Sequence, residues 1–366
     1  MTIRDICAQF DIGGKYVGCK EVSTGNVNCT YCVEFKRDGE QKNYILQRIN
    51  KNVFKEPEKV MDNIVRVTDH VREKVRAEGC STRTGVLRAF KAKEDGKHFV
   101  IDDCGDYWRC YRYIKNSITY DTCDDLDIIC RAGAAFGKFQ NYLKDFDAET
   151  LNTTIPYFHD TIKRYQAFHD AISLDPLDRV KKVREEIEDL LSFEQDACLL
   201  QQYLNNGEIP YRVTHNDTKC NNVSFDKDTG EALAVLDLDT VMPGAIAHDF
   251  GDAIRFIANT LIEDDPDVEN VALDLDKYEA FAKGFISEVS DSITLLEKET
   301  MNLGVFQMTV ELAVRFLTDY ILGDKYFKVR HPGHNVDRAR NQIALAKDVL
   351  NKREQMQSIL DKYIQE

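Results

Sequence analysis

Proline is scarce in this chain, seven in 366 residues. The Pro-, Ser- or Gly-rich tracts that make long flexible tethers are missing too. No run of eighteen or more apolar residues occurs, which excludes a membrane-spanning helix by pattern. Gly-x-x-x-x-Gly-Lys-Ser/Thr is also missing, and with it the phosphate-cradling loop of P-loop NTPases. The opening stretch from Met1 to Asp11 is amphipathic and mixed in charge, with no apolar core of a signal peptide. Together these features predict a cytoplasmic protein. Basic charge is in deficit, 48 Lys and Arg against 63 Asp and Glu, for a net charge of −15. That balance argues against nucleic acid and against an anionic membrane surface as partners. Cysteine is plentiful by contrast, eleven in all, with none beyond Cys220. In a cytosolic chain these read as buried small hydrophobes held reduced. Cys29-x-x-Cys32 has zinc or redox spacing, but no second pair follows it. His331-x-x-His334 flanks a Pro-Gly turn and is read the same way, as structural.

At this length, with 43% hydrophobic residues, the chain buries a large core and is expected to divide in two. Strand signals run through residues 16–22, 29–35 and 43–49. A helical stripe follows from Glu56 to Glu78, with Val60, Met61, Ile64, Val65, Val71 and Val75 on one face. Strand-like pieces at 83–90 and 98–101, and the run from Tyr107 to Ile114, complete a small α+β lobe. Helical patterns dominate afterwards, at 128–146, 177–205, 252–262, 278–289, 297–322 and 336–364. The expected organisation is α+β, with a β-rich lobe over residues 1–115 and a larger, mainly helical lobe over 116–366.

Set among those helices is Thr214-His215-Asn216-Asp217-Thr218-Lys219-Cys220-Asn221-Asn222. Asp237 follows fifteen residues after Asn222, in Val235-Leu236-Asp237-Leu238-Asp239. The stretch after Asn222 reads as a strand, Lys227 to Gly230 as a turn, and Glu231 to Leu236 as a returning strand. Folding that hairpin about residues 228–230 is expected to bring Asn222 and Asp237 opposite each other. One amide and one carboxylate at neighbouring strand ends suit Mg²⁺ on nucleotide phosphates. A separate carboxylate, Asp217, suits the proton of an attacking hydroxyl. Asp and Asn are individually common at turns because they bond their own backbone; the whole set matches the kinase catalytic-loop pattern.

Asp249-Phe250-Gly251 spells the magnesium triplet of protein kinases. It lies far downstream and opens a helical pattern, so Asp249 is read first as an N-cap that braces the catalytic loop. The metal is assigned to Asp237.

With these residues in hand, the chain resembles the aminoglycoside phosphotransferase and choline kinase superfamily, and within it the bacterial N-acetylhexosamine 1-kinase branch. The resemblance rests on Tyr44-Ile-Leu-Gln-Arg-Ile-Asn50, Ala135-Phe-Gly-Lys-Phe-Gln-Asn141 and Phe158-His-Asp-Thr161. It rests also on the catalytic segment from Arg212, Asp237 to Gly244, Arg315 to Tyr320, and Gly323 to Phe327. It implies a two-lobed protein-kinase-like fold. It further implies transfer from ATP, with Mg²⁺, to the anomeric hydroxyl of N-acetylglucosamine or N-acetylgalactosamine, by a monomer or weak homodimer. Asp217 matches the proton acceptor, Asn222 and Asp237 the metal ligands, and Thr240, Arg315 and Tyr326 the sugar-contacting positions. The Ser23–Asn28 loop, with Gly25, Asn26 and Asn28, stands where a nucleotide lid belongs in such a kinase. By itself it reads as a hairpin turn. Arg315 has a plain structural reading as well, as the partner of a core carboxylate such as Asp319 or Asp249.

One departure stands out. Many relatives carry a phosphate-gripping lysine on the third strand, where this chain has Gln47 in Leu46-Gln47-Arg48. Arg48 faces the other side of a strand by the two-residue period. Two alternatives therefore stay open: a kinase for another sugar, amino alcohol or aminoglycoside, and a catalytically silent nucleotide-binding relative.

Overall fold

The computed structural model describes residues 1–22 and 27–364. In chain order its first elements are α1 (Ile3–Gln9), β1 (Lys15–Val22), β2 (Cys29–Arg37), β3 (Glu40–Arg48), α2 (Pro57–Ala77), β4 (Val100–Ile101), β5 (Tyr107–Arg112) and β6 (Ser117–Ile118). Then come α3 (Leu126–Tyr142), α4 (Thr161–Leu174), α5 (Arg184–Ala197), α6 (Leu199–Asn205), β7 (Arg212–Thr214), β8 (Val223–Asp226), β9 (Ala232–Val235) and β10 (Met242–Gly244). The chain closes with α7 (Ile246–Ile257), α8 (Leu275–Val289), α9 (Leu295–Leu322), α10 (His334–Asn351) and α11 (Arg353–Asp361). Two compact units result. The first is Met1–Ile118, Glu149–Pro156 and Ser224–Met242; the second is Thr119–Ala148, Tyr157–Val223 and Pro243–Glu366.

The first unit is built on an antiparallel sheet of order β1-β2-β3-β5-β4. Alternation sends Val33 and Phe35, Tyr44 and Leu46, and Trp108 and Cys110 to one face, where they pack with Ile6, Cys7 and Phe10. Each such fully buried side chain contributes roughly 1.5–3 kcal/mol. Helix α1 was not anticipated, although Thr2 and Asp5 form a capping box at its start. Helix α2 buries Val60, Met61, Ile64, Val67, Val71 and Val75, the expected stripe with Val67 in place of Val65. The strand expected at 83–90 is instead a run of turns, leaving only an isolated bridge between Ala89 and Tyr111. Its apolar alternation is interrupted at Gly85, whose N–H closes a turn onto the Ser81 carbonyl at 2.9 Å.

The second unit is helical, apart from the short ribbon of β7 and β10. Its spine is α9, 28 residues long, with Thr294 and Glu297 closing a capping box and Gly323 ending it at φ 104°. Helices α3 and α8 touch backbone to backbone: a Cβ at Gly133 or Gly284 would collide with the facing main chain. Three helices differ from the expected spans. The pattern at 177–205 breaks at Cys198 into α5 and α6, and that at 336–364 breaks at Lys352 into α10 and α11. The one expected at 252–262 runs instead from Ile246 to Ile257. Helix α4 was missed, although Tyr165, Phe168 and Ala171 are buried at helical spacing behind the Asp160 cap. Among the described residues no helix is long and apolar enough to cross a membrane. Nor, among the described residues, do three or more His, Cys, Asp and Glu side chains group as a metal cage.

Candidate active site

The loop after β7 is held from below by acidic side chains of α7. Asp249 accepts the backbone N–H groups of His215 at 2.9 Å and Asn216 at 2.8 Å, and also the Gln140 amide at 2.6 Å. Burial pushes the Asp249 carboxyl pKa up, against the opposing pull of His215 and these three donors. Asp252 accepts the Thr218 N–H at 2.9 Å and pairs with Arg255 at 3.0 Å. The Thr218 hydroxyl donates to the Asp249 carbonyl. Asn216 sits at φ 63°, a left-handed conformation that asparagine tolerates better than most residues. Gly244 is required beside it, because a Cβ there would strike the Thr214 hydroxyl and crowd the Asn216 amide.

So fixed, the loop presents Asp217, which is partly exposed. Its carboxylate meets the Lys219 ammonium at 2.8 Å and the Asn222 amide nitrogen at 3.3 Å. Asn222 Nδ2 also donates to the Asp217 carbonyl at 2.8 Å. With that nitrogen engaged as a donor, the amide oxygen of Asn222 is the group left for a hard cation, the donor type Mg²⁺ prefers. Asp217 in turn pushes the Lys219 pKa up.

Both carboxylate oxygens of Asp249, in Asp249-Phe250-Gly251, are thus engaged by N–H donors. The N-cap of α7 is Ala245, so Asp249 lies inside the first turn and not at the cap, correcting the sequence expectation. It braces the loop as expected. Phe250 is fully buried against Tyr278, Phe281 and Phe285. Gly251 lets α7 press against α9, since a Cβ there would meet the Gly304 carbonyl.

In the first unit, β8 and β9 form the expected hairpin, the Asp226 carboxylate capping its turn by accepting from Asp228 and Thr229. Beyond β9, Asp237 is exposed and left-handed at φ 53°. Such backbone costs of order 1 kcal/mol for a non-glycine residue and concentrates at functional sites. Its carboxylate, like the Asn222 oxygen, is a hard donor of the kind Mg²⁺ takes. Two residues on, buried Asp239 binds the Arg109 guanidinium and accepts from Asn28 Nδ2 at 2.7 Å. Asn28 Oδ1 receives the Asn50 N–H at 3.0 Å, so both ends of that side chain are engaged. Gly25 and Asn26 lie outside the described residues. Thr240 is half-buried and closes the short 3-10 turn Leu238–Thr240.

Arg109 explains Gln47. Thr30, Gln47 and Arg109 lie side by side across β2, β3 and β5. Gln47 donates to Thr30 and accepts from Arg109 Nε, each at 3.0 Å. The cation of this sheet face thus stands one strand over from the position where relatives carry lysine. Burial lowers the Arg109 pKa, but its neighbours, Asp239 first among them, together outweigh this and leave the group above its ordinary value.

Back in the second unit, Arg315 faces Glu311 at 3.6 Å, not Asp319 or Asp249, which corrects both partners proposed from sequence. Its guanidinium lies over the Phe158 and Phe327 rings. Glu311 also receives His159 Nδ1 at 3.1 Å, while His159 Nε2 lies 3.2 Å from the Asn216 carbonyl. Burial raises the Glu311 pKa, but His159, its hydrogen bond and Arg315 outweigh this and bring it down to about 2. Asp319 instead accepts the N–H groups of Lys325, Tyr326 and Phe327 at 2.9–3.0 Å, holding the turn that exposes Tyr326. Arg109, Asp239, Lys219, Asp252, His159 and Glu311 escaped sequence reasoning. The one signal was an arginine amid the aromatic run of β5.

Residues 18–282 match the model of the phosphotransferase enzyme family (APH). The chain belongs to that family. Among solved structures it is similar to a microcompartment-associated aminopropanol kinase, at 15% identity over 97% of each chain with TM-score 0.59. It is also similar to a spectinomycin phosphotransferase solved with ADP and spectinomycin, at 12% identity over 93% of this chain and 95% of that one, TM-score 0.57. A choline kinase from Cryptosporidium parvum Iowa II matches at 13% identity over 99% and 98%, TM-score 0.54. At such identities the likeness is one of fold: the α+β, two-lobed kinase-like fold and the superfamily read from the motifs.

Proposed function

We propose that this protein is a sugar 1-kinase, transferring the γ-phosphoryl group of ATP to the anomeric hydroxyl of an N-acetylhexosamine. Asp217 accepts the hydroxyl proton, and Asn222 and Asp237 are the residues that would hold Mg²⁺. Bound there, the ion would neutralise charge on the nucleotide phosphates. The observation that carries phosphoryl transfer is the Asp217 carboxylate, fixed between Lys219 and Asn222 on a loop whose backbone is clamped by Asp249 and Asp252. A general base must lie within hydrogen-bond reach of the proton it takes, and that clamp sets its position. Anomeric hydroxyls are more acidic than ordinary alcohols, so a plain carboxylate suffices. Most of the rate enhancement is then positioning, since the transition state is loose.

For the acceptor, the electrostatics around Arg315 favour a neutral sugar. A cationic amino alcohol calls for an acidic cup. Here the Glu311 carboxylate is already taken by His159 and Arg315, and Arg164 adds a further positive charge close by. Arg315, Tyr326 and Thr240 are the sugar-contacting residues in this reading, and the 23–28 loop is the nucleotide lid. An amino alcohol kinase is the second reading, favoured by the fold shared with the aminopropanol and choline kinases.

ADP release separates the two readings when measured with ATP and Mg²⁺ against N-acetylglucosamine, N-acetylgalactosamine, aminopropanol and choline. Turnover with the acetamido sugars alone supports the proposal. Turnover with the amino alcohols alone replaces it with the second reading. Nucleotide binding without turnover on any acceptor overturns both.

A further inference from the structure

Three buried histidines, His159, His215 and His248, stand at the catalytic loop, and their contacts differ in kind. His215 Nδ1 accepts the Asp217 N–H at 3.2 Å, and His248 Nδ1 accepts the Ala245 N–H at 3.4 Å. Each of those rings therefore keeps a lone pair on that nitrogen and carries no charge. His159 is the exception. Its Nδ1 lies 3.1 and 3.3 Å from the two Glu311 oxygens, and its Nε2 lies 3.2 Å from the Asn216 carbonyl. Both nitrogens thus face oxygen acceptors. A neutral imidazole has a single N–H and can serve only one of them, whereas the imidazolium serves both. Glu311 has no proton to give in return, because it is held ionised beside Arg315, 3.6 Å away.

What the His159 ring holds is the peptide that leads into Asp217. The carbonyl of that peptide belongs to Asn216 and meets His159, while its N–H belongs to Asp217 and donates to His215. The plane is pinned at both ends. Asn216 needs that restraint, since its left-handed backbone at φ 63° is an unfavoured conformation for a non-glycine residue.

We propose that His159 is a positioning residue for Asp217: as an imidazolium it joins Glu311 of α9 to the peptide ahead of that carboxylate and fixes where the carboxylate points. The positioning role rests on the functional reading above; the double protonation does not. Glu311 and Asp252 favour the charged ring. Arg315 and Arg164 oppose it, the latter donating to the Phe158 carbonyl at 2.8 Å. His248, with its ring centre 5.3 Å from that of His159, adds no charge; burial and His159 hold its pKa down to about 3.

The test is nitrogen NMR of the histidine side chains in the full-length protein at about pH 7, where an ordinary histidine is largely neutral. The His159 signals are assigned by their loss in His159→Phe or, should that variant not fold, by their contacts to the Phe158 ring, whose centre is 4.3 Å away. Two protonated ring nitrogens are expected. A single neutral tautomer would overturn the proposal. In Glu311→Gln the amide can donate to Nδ1, so the ring should become the neutral Nε2–H tautomer. A ring still doubly protonated in that variant would detach the charge from Glu311 and overturn the proposal as well. His159→Phe removes both donors and should lower kcat roughly tenfold or more, as misplacements near 1 Å do, with KM for ATP close to that of the parent. His159→Gln can still donate to the Asn216 carbonyl and should recover part of the loss. Equal losses in the two variants would overturn the positioning role. Should no acceptor be turned over at all, the NMR still decides the protonation state.

Discussion

Arg109 and Asp239 form an ion pair in which the side chains are only 1% and 5% exposed. It joins β5 to the 3-10 turn that follows Asp237, within the first unit. Removing one partner of a buried pair strands the other charge away from water, at a cost of about 3–5 kcal/mol. Arg109→Met is expected to lose that much stability in urea unfolding. Arg109→Lys should recover part of it, keeping the charge but not the Nε bond to Gln47. A loss under about 1 kcal/mol for the Met variant would mean that the pair no more than balances its desolvation.

Asp249→Asn places an NH₂ group among three donors. At least one buried N–H of the His215–Asn216 backbone or Gln140 then loses its acceptor, at a cost of about 1–3 kcal/mol. Thermal unfolding should register the loss, with kcat reduced and the Mg²⁺ concentration at half-maximal activity unchanged. A large rise in that Mg²⁺ requirement would instead make Asp249 a metal ligand.

Asp217→Asn removes the proposed base while keeping the shape of the side chain. kcat should drop by roughly 10²–10⁴, with Mg-ADP binding by calorimetry nearly intact. Retention of more than about a tenth of the activity would assign the proton to another group.

Glu311 gives the protein an acid limb of defined sign. Its folded pKa, about 2, lies below the ordinary 4.5, so its contribution to stability is complete above pH 4.5. It is lost as the pH falls from there towards 2. Glu311→Gln should therefore differ from the parent by a constant unfolding free energy above about pH 5, with the difference shrinking on acidification. A difference independent of pH down to about 2 would show that the carboxylate is not stabilised by His159 and Arg315.

The loop from Thr214 to Asn222 was legible as a motif because its parts are local. Asp217 and Asn222 fall within six residues, and the turn capped by Asp226 gives away the hairpin after them. The partners of that stretch were not legible, because they come from far along the chain. Asp239 lies 130 residues beyond Arg109, and Glu311 lies 152 beyond His159. Arg315 is a different case: its partner Glu311 stands four residues earlier on α9, a local i,i+4 pair that the sequence reading passed over, while the Asp319 oxygens are spent on the turn after the helix. Asp249 misled in position because α7 begins at Ile246, before its polar residues. The α+β division was clear from the change of hydrophobic period, whereas helix breaks at Cys198 and Lys352 carry no proline or glycine to mark them.

Phosphorus NMR of the reaction with ATP, Mg²⁺ and N-acetylglucosamine tests the central claim most directly. A new sugar phosphate signal coupled to the anomeric proton is expected, appearing as ADP accumulates and absent with Asp217→Asn. A phosphate coupled to any other sugar proton, or no product while an amino alcohol is phosphorylated under the same conditions, would contradict anomeric phosphoryl transfer.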